Sequence, residues 1–159
     1  MIKLIKTIFV TVFLFSTVMV SSSYAKSIRI ALAEPPSDEF PLILPIGRYL
    51  SHWHTMTRTS KVQKLSKKNP EPLLEINSKD AFSLAIKNDE TVQIKSKRGK
   101  VKAKVHITDK IKVGTVFLPM HWGFSQRNMC EVNSLMHEKS CPISKQPELK
   151  ACSVIIIPN

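Results

Sequence analysis

The stretch that decides the fold is residues 91–107: Thr91-Val92-Gln93-Ile94-Lys95-Ser96-Lys97-Arg98-Gly99-Lys100-Val101-Lys102-Ala103-Lys104-Val105-His106-Ile107. Val92 and Ile94 alternate with Thr91, Gln93 and Lys95. Val101, Ala103, Val105 and Ile107 alternate with Lys102, Lys104 and His106. A period of two is the mark of strands with one buried face. Lys97-Arg98-Gly99-Lys100 supplies the turn between them, with Gly99 available for a positive φ. The result is a hairpin, apolar on one side and basic on the other.

Working outward, Leu73 to Asn77 reads as a strand. Ser78 is placed to cap a helix through Asp80, Ala81, Phe82 and Leu84, with Asp80 near its positive end. Asn88-Asp89 marks a turn. Thr115 to Met120 after Gly114, and Ser153 to Ile157, read as further strands. Phe40 to Ile46 is apolar but holds Pro41 and Pro45, so a strand there is short or at an edge. Gly47 to Thr59 has no clean period and reads as a loop. Ser60 to Lys68 suits a short basic helix ended by Asn69-Pro70. Short strands, few helices and compact turns predict a mainly β fold, a small barrel with short helices. There is no internal repeat.

Composition sets the outer bounds. Hydrophobic residues at 43% exclude a wholly disordered chain, 4 Gly exclude a collagen-like one, and 3 Cys are too few for a disulfide scaffold. A formal charge of +12 suits an anionic partner and also serves solubility. Residues 1–25 stand apart. Lys3 and Lys6 precede the uncharged run Thr7 to Val20, and Ser23-Tyr24-Ala25 follows as a small-x-small cleavage pattern. These are the parts of a secretory signal peptide, and the run is shorter than the roughly 20 residues that span a bilayer. The expected organisation is therefore a leader over 1–25, a polar proline-bearing linker over 26–39 and a domain over 40–159. Cleavage near Ala25 implies an exported, periplasmic product, and an uncleaved leader would be its one link to a membrane.

Several constellations compete for chemistry. Lys95, Lys97, Lys102, Lys104 and His106 form a face that a nucleic acid or other polyanion could meet. The strands carry no aromatics to stack on bases, so nucleic acid is not the expected partner and a solvated face is favoured. Cys130, Cys141 and Cys152 lack the paired spacing of a zinc site, and His121 and His137 add no supported geometry; buried thiols, or one disulfide with a leftover Cys, are expected. No G-x-S-x-G element marks a hydrolase. Gly47-Arg48 followed by His52-Trp53-His54-Thr55 is more distinctive, because it gathers a glycine, a guanidinium fork, two imidazoles, a Trp and hydroxyls. That composition suits a flat, heteroatom-rich ligand bearing phosphate. It equally suits a loop that packs Trp53 into the core.

The order of these residues resembles a known family. Phe40-Pro41-Leu42-Ile43-Leu44, Gly47-Arg48 and His52-Trp53-His54-Thr55-Met56-Thr57-Arg58-Thr59 are similar to the start of the C-terminal domain of molybdopterin oxidoreductases, above all assimilatory nitrate reductases of the cyanobacterial and bacterial type. Asn69-Pro70-Glu71-Pro72, Ser96-Lys97-Arg98-Gly99, Gly114-Thr115-Val116-Phe117, Pro119-Met120-His121-Trp122-Gly123 and Glu131-Val132-Asn133 continue the likeness. It closes on Ser140-Cys141-Pro142 through Ala151-Cys152.

The resemblance implies a double-psi β-barrel of the aspartate-decarboxylase-like kind that binds molybdopterin guanine dinucleotide. It assigns cofactor contacts to Gly47, Arg48, His52, Trp53, His54 and Thr55, and further contacts to Asn133 and Lys150. Pro45-Ile46 stands where relatives have Thr-Thr or Thr-Ala, which removes a hydroxyl and a backbone N–H. The family's iron–sulfur cysteine motif, central domains and protein ligand to molybdenum have no counterpart here. The expectation is thus a partial site for Mo-bis(molybdopterin guanine dinucleotide), with no catalytic residue, no metal ligand and no iron–sulfur cluster ligands. The chain is expected to be truncated or partial, inactive in nitrate reduction and nitrate assimilation by itself, with a separate catalytic chain as the partner that would complete it. Assimilatory relatives are cytoplasmic, which sets the resemblance against the leader. The alternative function is a non-enzymatic basic β-barrel that binds a polyanion through the 95–106 hairpin.

Overall fold

Pro41 and Pro45 divide the apolar run into two short strands, β1 (Leu42–Ile43) and β2 (Ile46–Gly47). These belong to a computed structural model that describes residues 32–123, 130–148 and 151–158; the leader over 1–25 and Lys150 lie outside the described residues. After the loop come α1 (Gln63–Lys68), β3 (Leu73–Ile76), α2 (Ser78–Ser83), β4 (Thr91–Lys95), β5 (Lys100–Ile107), β6 (Val116–Pro119) and β7 (Ser153–Ile157). The fold is mainly β with short helices, as the alternation predicts.

The strands form a seven-stranded sheet in the order β1-β7-β4-β5-β3-β6-β2. β1 pairs antiparallel with β7, and β2 pairs parallel with β6. Because β1 and β2 are consecutive pieces of one stretch, the two ends of the order meet there. Leu44 exchanges backbone hydrogen bonds with Cys152 (2.8 and 3.3 Å), Ile43 N donates to Gly114 O, and Met120 N donates to Gly47 O. The sheet therefore curls around its own core. The prolines do not prevent this, since Ile43 and Leu44, between them, keep their N–H groups and donate to Gly114 O and Cys152 O. Inside lie Leu44, Leu74, Ile76, Ile94, Val105, Leu118 and Val154, all fully or almost fully buried. Each contributes about 1.5–3 kcal/mol by burial. Outside on β5 lie Lys100, Lys102, Lys104 and His106, so the alternation holds residue by residue.

Two local expectations are corrected. The hairpin turn is present, with Lys95 opposite Lys100, Ser96 N donating to Gly99 O, and the Ser96 hydroxyl accepting from Arg98 N and Gly99 N. Gly99, however, does not supply a positive φ; among the described glycines that belongs to Gly114 (φ 78°). Gly99 is needed because a Cβ there would lie 2.7 Å from Ser134 O. The cap of α2 is Asn77 rather than Ser78. Asn77 is extended, its side-chain oxygen accepts from Lys79 N, and its amide donates to Ile111 O. Asn supplies a donor as well as an acceptor, so one side chain ties both the helix start and a neighbouring loop. Ser78 turns instead to the Asp109 carboxylate.

The segment 33–37 lies fastened to the sheet. Glu34 forms a bidentate pair with Arg98 (3.1 and 2.6 Å), Ser153 Oγ donates to Glu34 O, and Lys139 Nζ donates to Ala33 O. The guanidinium of Arg98 holds the Glu34 carboxyl below the usual carboxylate range. Arg98 also donates to Leu135 O and to Cys152 Sγ, which gathers the turn, the segment and the last strand at one side chain.

Candidate functional site

The loop after β2 lacks a backbone ladder of its own and is held by a side chain from elsewhere. Tyr49 N donates to His121 Nε2 (2.8 Å), and His121 Nδ1 lies 2.5 Å from His54 O. One ring nitrogen must accept and the other must donate, so these partners fix the neutral tautomer with its proton on Nδ1. Burial pushes the His121 pKa down and favours the same neutral form. The rings of Tyr49, His52 and Trp122 stand about it, with centroids 6.0, 5.5 and 6.0 Å away. His54 and Met56 adopt positive φ (24° and 59°), unusual for residues with a Cβ. The loop's shape thus depends on being pinned from outside.

Pinning the main chain leaves several polar side chains without a hydrogen-bond partner among the described residues. Arg48 has its guanidinium carbon 5.1 Å from the Trp53 ring centroid, and Trp53 meets His54 edge-on at 4.9 Å. Trp53 is 59% exposed and His52 only 3%, so the loop buries the histidine and not the tryptophan. Of the two readings open for this stretch, the one that packs Trp53 into the core does not hold: Trp53 is exposed, and Trp122 lies in the core. His52 Nδ1 pairs with Thr59 Oγ1, while Nε2 is buried with no hydrogen-bond partner among the described residues; His52 borders a cavity of about 130 Å³ lined also by Ser66, Asn69 and Trp122.

A larger hollow of about 400 Å³ opens beside the loop, lined by Thr55, Met120–Gly123 and Glu131–Ser134. It brings together Thr55 and Asn133, far apart in the sequence. Neither side chain has a hydrogen-bond partner among the described residues, so a hydroxyl and a carboxamide remain for a ligand. A Cβ on Gly123 would meet nothing within 4 Å, which leaves the backbone open there. Gly47 is also closely packed: a Cβ there would come within 2.9 Å of the Phe117 ring on β6. Among the predicted residues, Thr55 and Asn133 line the large hollow, Arg48, Trp53 and His54 form an exposed cluster, His52 lines the smaller cavity, and Gly47 serves packing. Lys150 is outside the described residues. Sequence reading did not name His121 as a site residue. The signal available was a second His-Trp pair, His121-Trp122, directly after a strand.

The other constellations contribute less. The three cysteines are unpaired, which removes the disulfide alternative, and burial raises the Cys130 thiol to about 12. Among the described residues no group of three or more His, Cys, Asp or Glu is placed to hold a metal. The Lys95–His106 face is exposed to solvent, and Lys104 is paired with Glu71 at 2.9 Å.

A curled sheet with a pinned loop over a polar hollow defines a small ligand-binding β domain. Residues 42–153 match the family described as Molydopterin dinucleotide binding domain, and the chain belongs to that family, within the molybdopterin oxidoreductases close to nitrate reductases. It is 47% identical over 127 residues to a nitrate reductase of Synechocystis sp., covering 80% of this chain and 18% of the relative. It is 41% identical over 125 residues to the F420-dependent formate dehydrogenase subunit alpha of Methanocaldococcus jannaschii, with 79% and 18% covered. The catalytic subunit of the assimilatory nitrate reductase of Bacillus subtilis is 35% identical over 125 residues, with 79% and 17% covered. The chain thus spans less than a fifth of the length of these curated relatives. In fold it is similar to acetylene hydratase from Pelobacter acetylenicus, with a TM-score of 0.63 at 20% identity over 76% of this chain and 19% of that one.

Proposed function

We propose that this chain is a cofactor-carrying domain for molybdopterin guanine dinucleotide in a nitrate-reductase-like molybdenum enzyme, and that its curled sheet is of the double-psi kind. The observation that carries the reading is the meeting of Thr55 and Asn133, whose side chains have no hydrogen-bond partner among the described residues, on one hollow of about 400 Å³. The donor set fits a heterocyclic dinucleotide: Asn133 both donates and accepts, Thr55 offers a hydroxyl, and the main chain is open at Gly123. Arg48, with a planar fork and no carboxylate partner among the described residues, suits a phosphate group. A hollow of this size encloses part of such a ligand, in keeping with a second wall from a separate catalytic chain. When bound, the group would supply the molybdenum redox chemistry. This chain's residues bind and orient it, with nitrate as the substrate of the whole assembly.

The test is a titration of the purified chain with molybdopterin guanine dinucleotide, followed by pterin fluorescence. Saturable binding is expected, weakened about tenfold by Asn133→Ala and again by Arg48→Ala, since each lost hydrogen-bonding group contributes about 1–1.5 kcal/mol. No binding by the wild type, or equal binding by all three proteins, would refute the reading.

A further inference from the structure

His121 lines the large hollow and also holds two points of the loop that borders it. The bond from Tyr49 N decides the state of the ring. A backbone N–H can only donate, so His121 Nε2 keeps its lone pair, and the proton on Nδ1 goes to His54 O at 2.5 Å. A second proton on the ring has one place to go, Nε2, where it would face the Tyr49 N–H across 2.8 Å. The proton and the Tyr49 main chain therefore compete for one lone pair. Either form of the ring serves His54 O, so the contact that must give way is the one at Tyr49.

The surroundings offer a proton on Nε2 no carboxylate. Burial lowers the His121 pKa; the His54 carbonyl draws it back up, and the charges of His52, Arg48 and His54 push it down again. Among the described residues that line the hollow with His121, Glu131 is the one other titratable group; it is exposed and makes no ion pair with the ring. Glu75, on β3, faces the Tyr49 phenol. The two held points are also the ones that matter to the site: Tyr49 follows Arg48, and His54 precedes Thr55. His54 keeps a φ of 24°, a sparsely populated conformation that persists only where the surroundings impose it.

We infer that His121 is a proton-operated latch on this loop: with Nε2 bare it holds Tyr49 and sets the loop for binding, and with Nε2 protonated it lets the Tyr49 end go. It is a positioning residue, acting on Arg48 and Thr55 through the main chain. Its effect on ligand affinity rests on the reading proposed above, in which the hollow takes a pterin dinucleotide; the latch itself does not.

The experiment follows the full chain by NMR as pH falls from about 8 to about 5, reading the His121 ring nitrogens and the backbone amides. Protonation of Nε2 should move the Tyr49 amide in the same step, with a common midpoint, and lower its protection from hydrogen exchange at least about tenfold. The amides of Ile94 and Val105 in the strands should stay as they are. A Tyr49 amide that ignores the ring, a different midpoint for the two, or loss of the strand amides in the same step would each overturn the latch. A second arm measures affinity for molybdopterin guanine dinucleotide over the same range. The wild type should lose about tenfold between neutral pH and one unit below the His121 midpoint. His121→Gln should keep only the dependence that comes from the ligand's own phosphates. Equal pH dependence in the two proteins would overturn the coupling of latch to site. Absence of binding at every pH would refute the cofactor reading instead, and the amide and ring titrations would still decide the latch.

Discussion

The hairpin tip at 95–100 and the loop at 47–58 are both turns that follow strands, yet they are built in opposite ways. At the tip, side chains are consumed by structure: Ser96 bridges the turn, Arg98 spends its donors on Glu34, Leu135 and Cys152, and Gly99 lies against Ser134. In the loop the main chain is pinned through His121, and the side chains of Arg48, His54 and Thr55 have no hydrogen-bond partner among the described residues. A turn that satisfies itself needs no ligand. One that borrows its support from a distant side chain leaves its own side chains for binding.

Removing the hub of the tip should have the largest effect. Arg98→Ala leaves Glu34 and Leu135 O without their charged donor and should cost about 3 kcal/mol, seen as a lower urea midpoint at unchanged slope. A midpoint within error of the wild type would break the contrast. Gly99→Ala forces a methyl against Ser134 O and should cost about 1–3 kcal/mol, although the φ at this position suits alanine. Stabilisation by alanine would show that the close approach relaxes freely.

The loop makes a prediction about pH. His121 has its pKa lowered in the fold, so the unfolded state binds more protons between that lowered value and the ordinary value of about 6.5. Its contribution is therefore complete above about pH 6.5 and is lost as pH falls through the folded value. His121→Gln should flatten this part of the stability profile while leaving the acid-side loss that comes from Glu34 with its lowered pKa. An unchanged profile would remove His121 from the account. The smallest effect concerns thiols. Cys141 is exposed and the Ser144 hydrogen bonds lower its pKa, whereas Cys130 is buried and raised to about 12. A thiol reagent at neutral pH should modify Cys141 first and Cys130 only on unfolding.

The tip was legible in the sequence and the loop only in part, for a physical reason. Val92, Ile94, Val101, Ala103 and Val105 declare their strands because burial alternates with a backbone period. Closure of the sheet was hidden, since Pro41 and Pro45 conceal a stretch that pairs on both sides. The residue types of the loop advertised a ligand, but its anchor did not. The contacts of His121 with Tyr49 and His54 span 72 and 67 positions and leave no periodic trace. The role of Gly99 was equally out of reach, because it depends on where the turn at 132–135 comes to rest.

The most direct measurement is the affinity of the purified chain for molybdopterin guanine dinucleotide, compared among the wild type, Asn133→Ala and Arg98→Ala under conditions where all three are folded. The account predicts saturable binding by the wild type, a loss of about tenfold in Asn133→Ala and no change in Arg98→Ala. Binding that ignores Asn133, or that fails with Arg98 while the chain remains folded, would contradict it.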